Sequence, residues 1–314
     1  MTPAEQEYTK IHTHKDEFEW YRESGDVKHI NFVKWADVYL ICPLTSNSLN
    51  KMIAGICDNI VLTCWKAWDE SKPVYIAPAM NTAMLMKDRT ALNKIGDSAK
   101  ILYPTVKKLA CGDFGLGALA DLGDIINCVE GHRWKMPIGF KLPGIYYKAP
   151  IDLTHPGQFG TERKHDIHTG VDLYLQKGYT GDVTPFEHGE VVGMGQYTGE
   201  AVGCGWWHDT HYVSVKGKSG VIAYGEIEPD KGLKIGDLVK CETVIGEVIQ
   251  VLKHPPRIEV FGHSMKMLHV ELLIEAKDTR IEPISDAWEK GGERPRHLKD
   301  PNVYLMIDSF KSSG

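Results

Sequence analysis

Two groups of residues in this chain have types and spacings that could do chemistry. The first is Asn81, in Ala77-Pro78-Ala79-Met80-Asn81, together with Cys111, in the glycine-rich run Leu109-Ala110-Cys111-Gly112-Asp113-Phe114-Gly115-Leu116-Gly117. Neither an amide just past a buried apolar strand nor a Cys in such a loop is needed there for stability, and a thiol with an ordinary pKa of about 8.5 can donate a proton at neutral pH. The glycine-rich loop would let that thiol ride on a movable flap. Ser46, Asn47 and Ser48 lie where an apolar run meets a helix start, a place suited to phosphate. His29 comes shortly before that run. Each residue also has an ordinary alternative. A Cys in a glycine loop can be incidental, His29 can be a capping or surface residue, and Asn81 can be a turn residue because Asn tolerates left-handed backbone.

The second group is His168 and Asp172, in His168-Thr169-Gly170-Val171-Asp172, with His269 in Met267-Leu268-His269-Val270-Glu271. Two imidazoles and one carboxylate form a three-ligand set that leaves a fourth position open, as catalytic zinc requires. A metal held this way lowers the pKa of bound water to about 7. The alternative is a β module that binds zinc, or no metal, and serves recognition. Other histidines, among them His155, His165, His188, His208 and His211, lie in polar segments and read as surface residues. Trp206-Trp207 could line a groove or simply pack on the surface.

The elements that must position these groups differ between the two halves. Val38-Tyr39-Leu40-Ile41-Cys42 is a continuous apolar run, expected to be a buried parallel strand stopping at Pro43. A helix capped by Thr45-Ser46-Asn47-Ser48 should follow, through about Ile56. Residues 73–77 form the next expected strand, a helix should follow Asn81, and Ile101-Leu102-Tyr103 is a third strand. This rhythm predicts an α/β, doubly wound parallel sheet with ligands at the carboxyl ends of its strands. Past Arg133, the breakers Met136-Pro137-Ile138-Gly139 and Leu142-Pro143-Gly144 read as a linker. Short alternating segments at 189–193, 211–216, 220–227, 244–251 and 267–274 then predict an antiparallel all-β domain. The expected boundaries are 1–132 and 133–314, with the polar, Pro-punctuated tail from Pro283 wrapping the surface.

Composition narrows the function classes. With 42% hydrophobic and 25% charged residues, 314 positions suffice for two cores. A net charge of −6 without a basic run argues against nucleic acid as partner. No apolar stretch reaches the roughly 20 residues that span a bilayer, and the first residues lack the apolar core of a secretory signal. Seven cysteines without a CxxC pair indicate thiols in a reducing compartment. Cytoplasmic location is the expectation.

Further motifs carry a resemblance. His29-Ile30 before Trp35-Ala36-Asp37, Pro43-Leu44-Thr45-Ser46-Asn47-Ser48, Gly55-Ile56-Cys57-Asp58-Asn59, Ala67-Trp68-Asp69, Pro78-Ala79-Met80-Asn81 and Leu109-Ala110-Cys111-Gly112-Asp113 occur in the order found in one family. Over about residues 10–130 the chain resembles the cysteine-decarboxylase flavoproteins, in particular the eukaryotic branch of phosphopantothenoylcysteine decarboxylase. The resemblance implies a homo-oligomer, a trimer, in which FMN oxidises a substrate cysteine that then loses carbon dioxide. It assigns His29 as active-site histidine, Asn81 as holder of the substrate carboxylate and Cys111 as proton donor. Thr13, Ser46, Asn47, Ser48, Ala79 and Met80 would contact FMN. That family opens with a β-α unit whose Gly-Ser loop binds the FMN phosphate. Thr13 lies about a dozen residues after Met1, so the expectation is a domain lacking that unit.

Residues 133–305 resemble the LytM/lysostaphin-type peptidoglycan endopeptidases. The motifs are His168-Thr169-Gly170-Val171-Asp172-Leu173, Gly189-Glu190-Val191-Val192, Ile235-Gly236-Asp237 with Ile245-Gly246, and Leu268-His269-Val270-Glu271-Leu272. The resemblance implies zinc on His168, Asp172 and His269. Met267 and Glu226 stand where that family has its catalytic histidines. Glu226 could serve as general base instead, and His263 could replace one lost histidine. The expected function is FMN-dependent decarboxylation of a cysteine-derived carboxylate, phosphopantothenoylcysteine to phosphopantetheine in coenzyme A biosynthesis, with a fused, degenerate zinc peptidase-like domain. One alternative is a phage-like zinc peptidoglycan hydrolase, virion-associated or released by lysis, with a vestigial flavoprotein domain. A non-catalytic binding protein is the other.

Overall fold

The computed structural model describes residues 11–13, 15, 21–22, 25–132, 134–142, 155–164, 166–253, 266–273, 288–290, 292–295 and 297–305. The N-terminal region holds helix α1 (Lys28–Trp35), strand β1 (Tyr39–Leu44), helices α2 (Ser46–Ala54) and α3 (Ile60–Ala67), strand β2 (Val74–Pro78), helix α4 (Thr82–Gly96) and strand β3 (Lys100–Ile101). The three strands pair in parallel in the order β1-β2-β3, a Rossmann-like sheet. Every residue of β2 is buried, which its unbroken apolar run requires. β1 runs on through Pro43 to Leu44, past the expected stop. Its register with β2 slips between Ile41 and Leu44, where the proline has no N–H to give the ladder.

Helix starts follow local chemistry. Thr45 caps α2 by accepting from Ser48 N, and Asn59 caps α3 by accepting from Leu62 N at 3.0 Å. Gly55, at φ 72°, closes α2 in the left-handed region. Beyond the parallel sheet, β4 (Thr105–Lys108) and β5 (Phe114–Ala118) form an antiparallel hairpin with Cys111 at its tip. Helix α5 (Leu122–Val129) follows.

The second sheet is antiparallel. It comprises β6 (Phe140–Lys141), β7 (Val171–Leu175), β8 (Asp182–Val183), β9 (Gly189–Thr198), β10 (Thr210–Lys216), β11 (Val221–Pro229), β12 (Leu238–Val239), β13 (Gly246–Val248), β14 (Met267–Leu273) and β15 (Leu298–Lys299). Its central path runs β12-β9-β10-β11-β14-β7-β6. The residues expected to be a linker contribute to this order, because Phe140 pairs with Leu175.

Where it is described, the tail does not wrap the surface. β15 pairs with β14, and Trp288, Leu298 and Val303 are buried. Helix α6 (Asn302–Leu305) lies against α5 of the other region. There Tyr304 stacks on Trp134, with ring centroids 4.9 Å apart, and donates to Asp124 Oδ1 at 2.8 Å. One apolar cluster runs from Ile41, Ile76 and Ile101 through Val106 and Phe140 to Val171, Ile222, Leu268 and Trp288. The apolar residues among Pro301–Leu305 explain the difference: a segment can be polar on average and still bury one face.

Candidate functional site

In the N-terminal region the structure brings Asn81 and Cys111 together. Asn81 caps α4, its Oδ1 accepting from Ala83 N at 2.8 Å. With the carbonyl oxygen committed, the amide nitrogen is left as donor, and Nδ2 reaches Cys111 Sγ at 3.3 Å. The thiol in turn faces Asp113 Oδ2 at 3.3 Å. The hairpin reaches that position because it lies directly on the start of α4. Met80 N donates to Gly117 O at 2.9 Å and Thr82 Oγ1 to Leu116 O at 2.7 Å. Gly117, at φ 138°, approaches so closely that a Cβ there would lie 2.1 Å from Met80 O. Glycine at 117 is thus needed both for the backbone angle and for the contact.

The loops after β1 and β2 lie side by side at the carboxyl edge of the parallel sheet, joined by Ala79 N to Leu44 O at 3.0 Å. This is the edge where open α/β sheets take ligands. Ser46 Oγ donates to Asp88 Oδ2 and Asn50 Nδ2 to Asp88 Oδ1, so a carboxylate of α4 already sits at the N-terminus of α2. Asn47 and Ser48 continue that first turn, and Ala79 and Met80 are half-buried beside it. Thr13 is exposed. His29 lies on α1, which packs against α3, and its main-chain carbonyl accepts Cys64 Sγ at 3.9 Å.

In the antiparallel region His168, Asp172 and His269 converge. Asp172 on β7 and His269 on β14 are direct cross-strand partners, and His168 reaches back to them from the turn before β7. Gly170 makes that turn possible, since a Cβ there would meet His269 Nε2 at 2.6 Å. His168 Nε2 lies 3.2 Å from Asp172 Oδ1 and 3.2 Å from His269 Nδ1, and His269 Nδ1 lies 2.9 Å from Asp172 Oδ1. Metal bonds of 2.0–2.1 Å in a tetrahedron imply ligand separations of about 3.3 Å. The three atoms therefore fit a single small cation such as zinc.

Outer partners orient each of these groups, the usual accompaniment of a metal ligand. His168 Nδ1 bonds Gln158 O at 2.9 Å, His269 Nε2 bonds Glu271 Oε1 at 3.3 Å and Arg163 Nη2 donates to Asp172 Oδ2 at 2.6 Å. Thr169 Oγ1 donates to Glu271 at 2.6 Å. Burial pushes the His168 imidazole down. Burial also opposes charge on His269, but its bonds to Asp172 and Glu271 outweigh that and push it up to about 10. For Asp172, burial is outweighed by His168 and Arg163, which hold the carboxyl well below its usual range.

Glu226 enters the same pocket by a backbone device. Between His211 and Val213 the β10–β11 ladder slips, so that Gly225 and Glu226 together oppose Tyr212 in a β-bulge. Among the described residues, Glu226 is the one non-glycine residue with positive φ, at 64°. It lines the pocket with His168, His269, Arg163, Tyr197 and Trp207. Burial, and then the Asp172 charge, push its carboxyl up to about 8, so it holds a proton at neutral pH.

The sequence reading missed Arg163, Tyr197 and Glu271. Glu271 was findable, because it lies two residues past His269 on the same strand face. Arg163 gives no signal at its position. His155, read as a surface residue, is buried; its Nδ1 accepts from Gly157 N at 3.0 Å and its ring packs edge-on against Tyr174. His165 and His263 lie outside the described residues. No described helix is long and apolar enough to cross a membrane.

Comparison with known proteins bears on the first region. Residues 2–133 match the Flavoprotein family. The phosphopantothenoylcysteine decarboxylase HAL3b of Glycine max is 41% identical over 126 residues, 38% of this chain and 58% of that protein. The phosphopantothenoylcysteine decarboxylase of Mus musculus is 42% identical over 124 residues, 38% of this chain and 61% of that protein. Among solved structures, the FMN binding protein AtHal3 is 38% identical, covering 38% of this chain and 68% of that one, with a TM-score of 0.35. The chain thus spans about 58% of the length of the first of these decarboxylases. Over residues 2–133 this chain resembles the Flavoprotein family, with phosphopantothenoylcysteine decarboxylases among its relatives.

Proposed function

We propose that the chain performs FMN-dependent decarboxylation of a cysteine-derived carboxylate, phosphopantothenoylcysteine to phosphopantetheine, as a cytoplasmic homo-oligomer, a trimer. The observation that carries this reading is the Asn81–Cys111 pair at 3.3 Å on a ligand-binding sheet edge. The first turn of α2 offers the main-chain N–H groups of Ser46 and Asn47 to FMN, with Ser48, Ala79 and Met80 beside them, and Thr13 adds a hydroxyl. Asp88 already occupies Ser46, so these donors suit the polar edge of the flavin ring better than its phosphate. Bound FMN would supply the oxidation that activates the substrate for loss of carbon dioxide and the reduction that follows that loss. Asn81 Nδ2 binds the substrate carboxylate, Cys111 Sγ holds the proton delivered to the product, and His29 takes the family's histidine role. The test is the visible spectrum of purified protein with released flavin quantified, then product formation with Cys111→Ser as control. Near-stoichiometric FMN and turnover lost in Cys111→Ser are expected. Protein that takes up no FMN in excess cofactor overturns the reading.

A second reading rests on the 2.9–3.2 Å triad: a zinc centre on His168, Asp172 and His269 in a LytM-type domain acting on a peptidoglycan peptide. The cation would supply Lewis acidity. Glu226, protonated at neutral pH, suits the protonation of a leaving amine better than the base role read from sequence. One zinc per chain by elemental analysis, lost in His269→Ala, together with peptidoglycan clearing lost in Glu226→Gln, would support it. Metal-free protein after zinc loading would remove it. A chain that binds neither flavin nor zinc would leave the non-catalytic binding protein.

A further inference from the structure

The two sites share a loop. On one side, Gln158 O accepts His168 Nδ1 and Gly160 N donates to His168 O at 2.8 Å. On the other, Gly160 lies so close to β4 that a Cβ would meet Val106 Cγ2 at 2.4 Å. Trp288 closes the arrangement. It is fully buried, its ring meets Phe159 at 5.5 Å and Phe114 edge-to-face at 5.8 Å, and its carbonyl accepts Ile167 N at 2.9 Å. Phe114 opens β5, in the strand that leaves the Cys111 turn. At the far end of the hairpin, Arg294 donates to Thr105 Oγ1 at 3.0 Å. Residues of the antiparallel region therefore grip both strands of the hairpin, while Cys111 at the tip stays exposed. A two-stranded hairpin is marginal by itself, so what it packs against sets the geometry of its tip.

We propose that Trp288 is a positioning residue for Cys111. By seating Phe114 it holds the hairpin where Cys111 Sγ meets Asn81 Nδ2. The catalytic significance of this rests on Cys111 being the proton donor, whereas the positioning itself does not. The antiparallel region is on this account a working part of the first site.

The experiment is iodoacetamide alkylation of the full-length chain, with Cys111 and the exposed Cys57 quantified together by peptide mass spectrometry. Trp288→Ala and Phe114→Ala should raise the Cys111-to-Cys57 rate ratio at least threefold, and Trp288→Phe should restore the parent ratio. Phe114 is 42% exposed, so its alanine variant keeps the test valid if Trp288→Ala does not fold. An unchanged ratio in Phe114→Ala, or equal acceleration at both thiols, overturns the proposal. In a parent chain that turns over, Phe114→Ala should lower kcat at least tenfold at nearly constant KM; a raised KM at constant kcat also overturns it. A parent chain without turnover would sink the decarboxylase reading, and the alkylation ratio would still decide the positioning.

Discussion

At Asn81 one side chain does two jobs with its two ends, and substitution can separate them. The oxygen caps α4, while the nitrogen faces Cys111 and the space where a carboxylate would bind. Asn81→Asp keeps a good cap but replaces the donor with a negative charge. It should leave thermal stability within experimental error of the parent and raise the KM for a carboxylate substrate at least tenfold. Asn81→Ala should lose both functions and cost about 1 kcal/mol of stability. Thermal melts beside steady-state kinetics check both; a stability loss in Asn81→Asp equal to that in Asn81→Ala would contradict this division. A different prediction holds at His269. Its imidazole carries a proton up to about pH 10 without metal, so binding a cation at Nδ1 must expel that proton. Apparent zinc affinity should therefore rise about tenfold per pH unit between pH 6 and 8. Competition titrations with a chromophoric chelator would show it, and a flat profile would mean the ring is already neutral.

At the scale of elements, the hairpin decides whether the Asn81–Cys111 pair exists at all. Gly117→Ala places a methyl group against Met80 O in a backbone region that alanine resists. It should destabilise by about 2 kcal/mol and raise amide hydrogen exchange at Leu109 and Gly112, whose N–H groups bond Asp113 O and Leu109 O, measured by deuterium uptake. Unchanged protection would mean the hairpin is not seated through Gly117. The same hairpin shows what was legible in the sequence. Continuous apolar runs revealed β1 and β2, and the capping residues Thr45 to Ser48 revealed the start of α2, because those signals are local; that Asn81 caps α4 came only from the structure. Asn81 and Cys111 stood out as residue types with no packing reason to be there. The hairpin joining them was not read, since its strands are short and half-buried and their pairing depends on contacts with Trp288 and Gly160 far along the chain. The bulge at Glu226 was likewise invisible, because one extra residue in a strand leaves the alternation pattern nearly intact.

Taken as one molecule, the two regions share a core, and the charges buried between them tie their stability to pH. Asp121 meets Lys107 and Arg294, and Asp124 Oδ1 meets Lys299 and Tyr304, so each of these carboxylates has a cation against it, while Asp124 Oδ2 is buried without a partner among the described residues. Asp300 differs. Its Oδ1 accepts Asn302 N at 2.9 Å, but burial outweighs this and the Arg294 charge, and pushes the carboxyl up to about 7. In the unfolded chain the same group titrates near 3.8. Between those two values the folded state holds a proton that the unfolded state has lost, so stability falls as pH rises. The penalty is absent below about pH 4 and complete above about pH 7, and is of order 4 kcal/mol. Asp300→Asn preserves an oxygen for Asn302 N and never ionises. Its melting temperature should match the parent near pH 3.5 and exceed it by about 5 °C or more at pH 8. Scanning fluorimetry of both chains across that range measures the gap directly. A gap that stays constant with pH would mean Asp300 is ionised throughout, and that the seam between the regions admits enough water to solvate it.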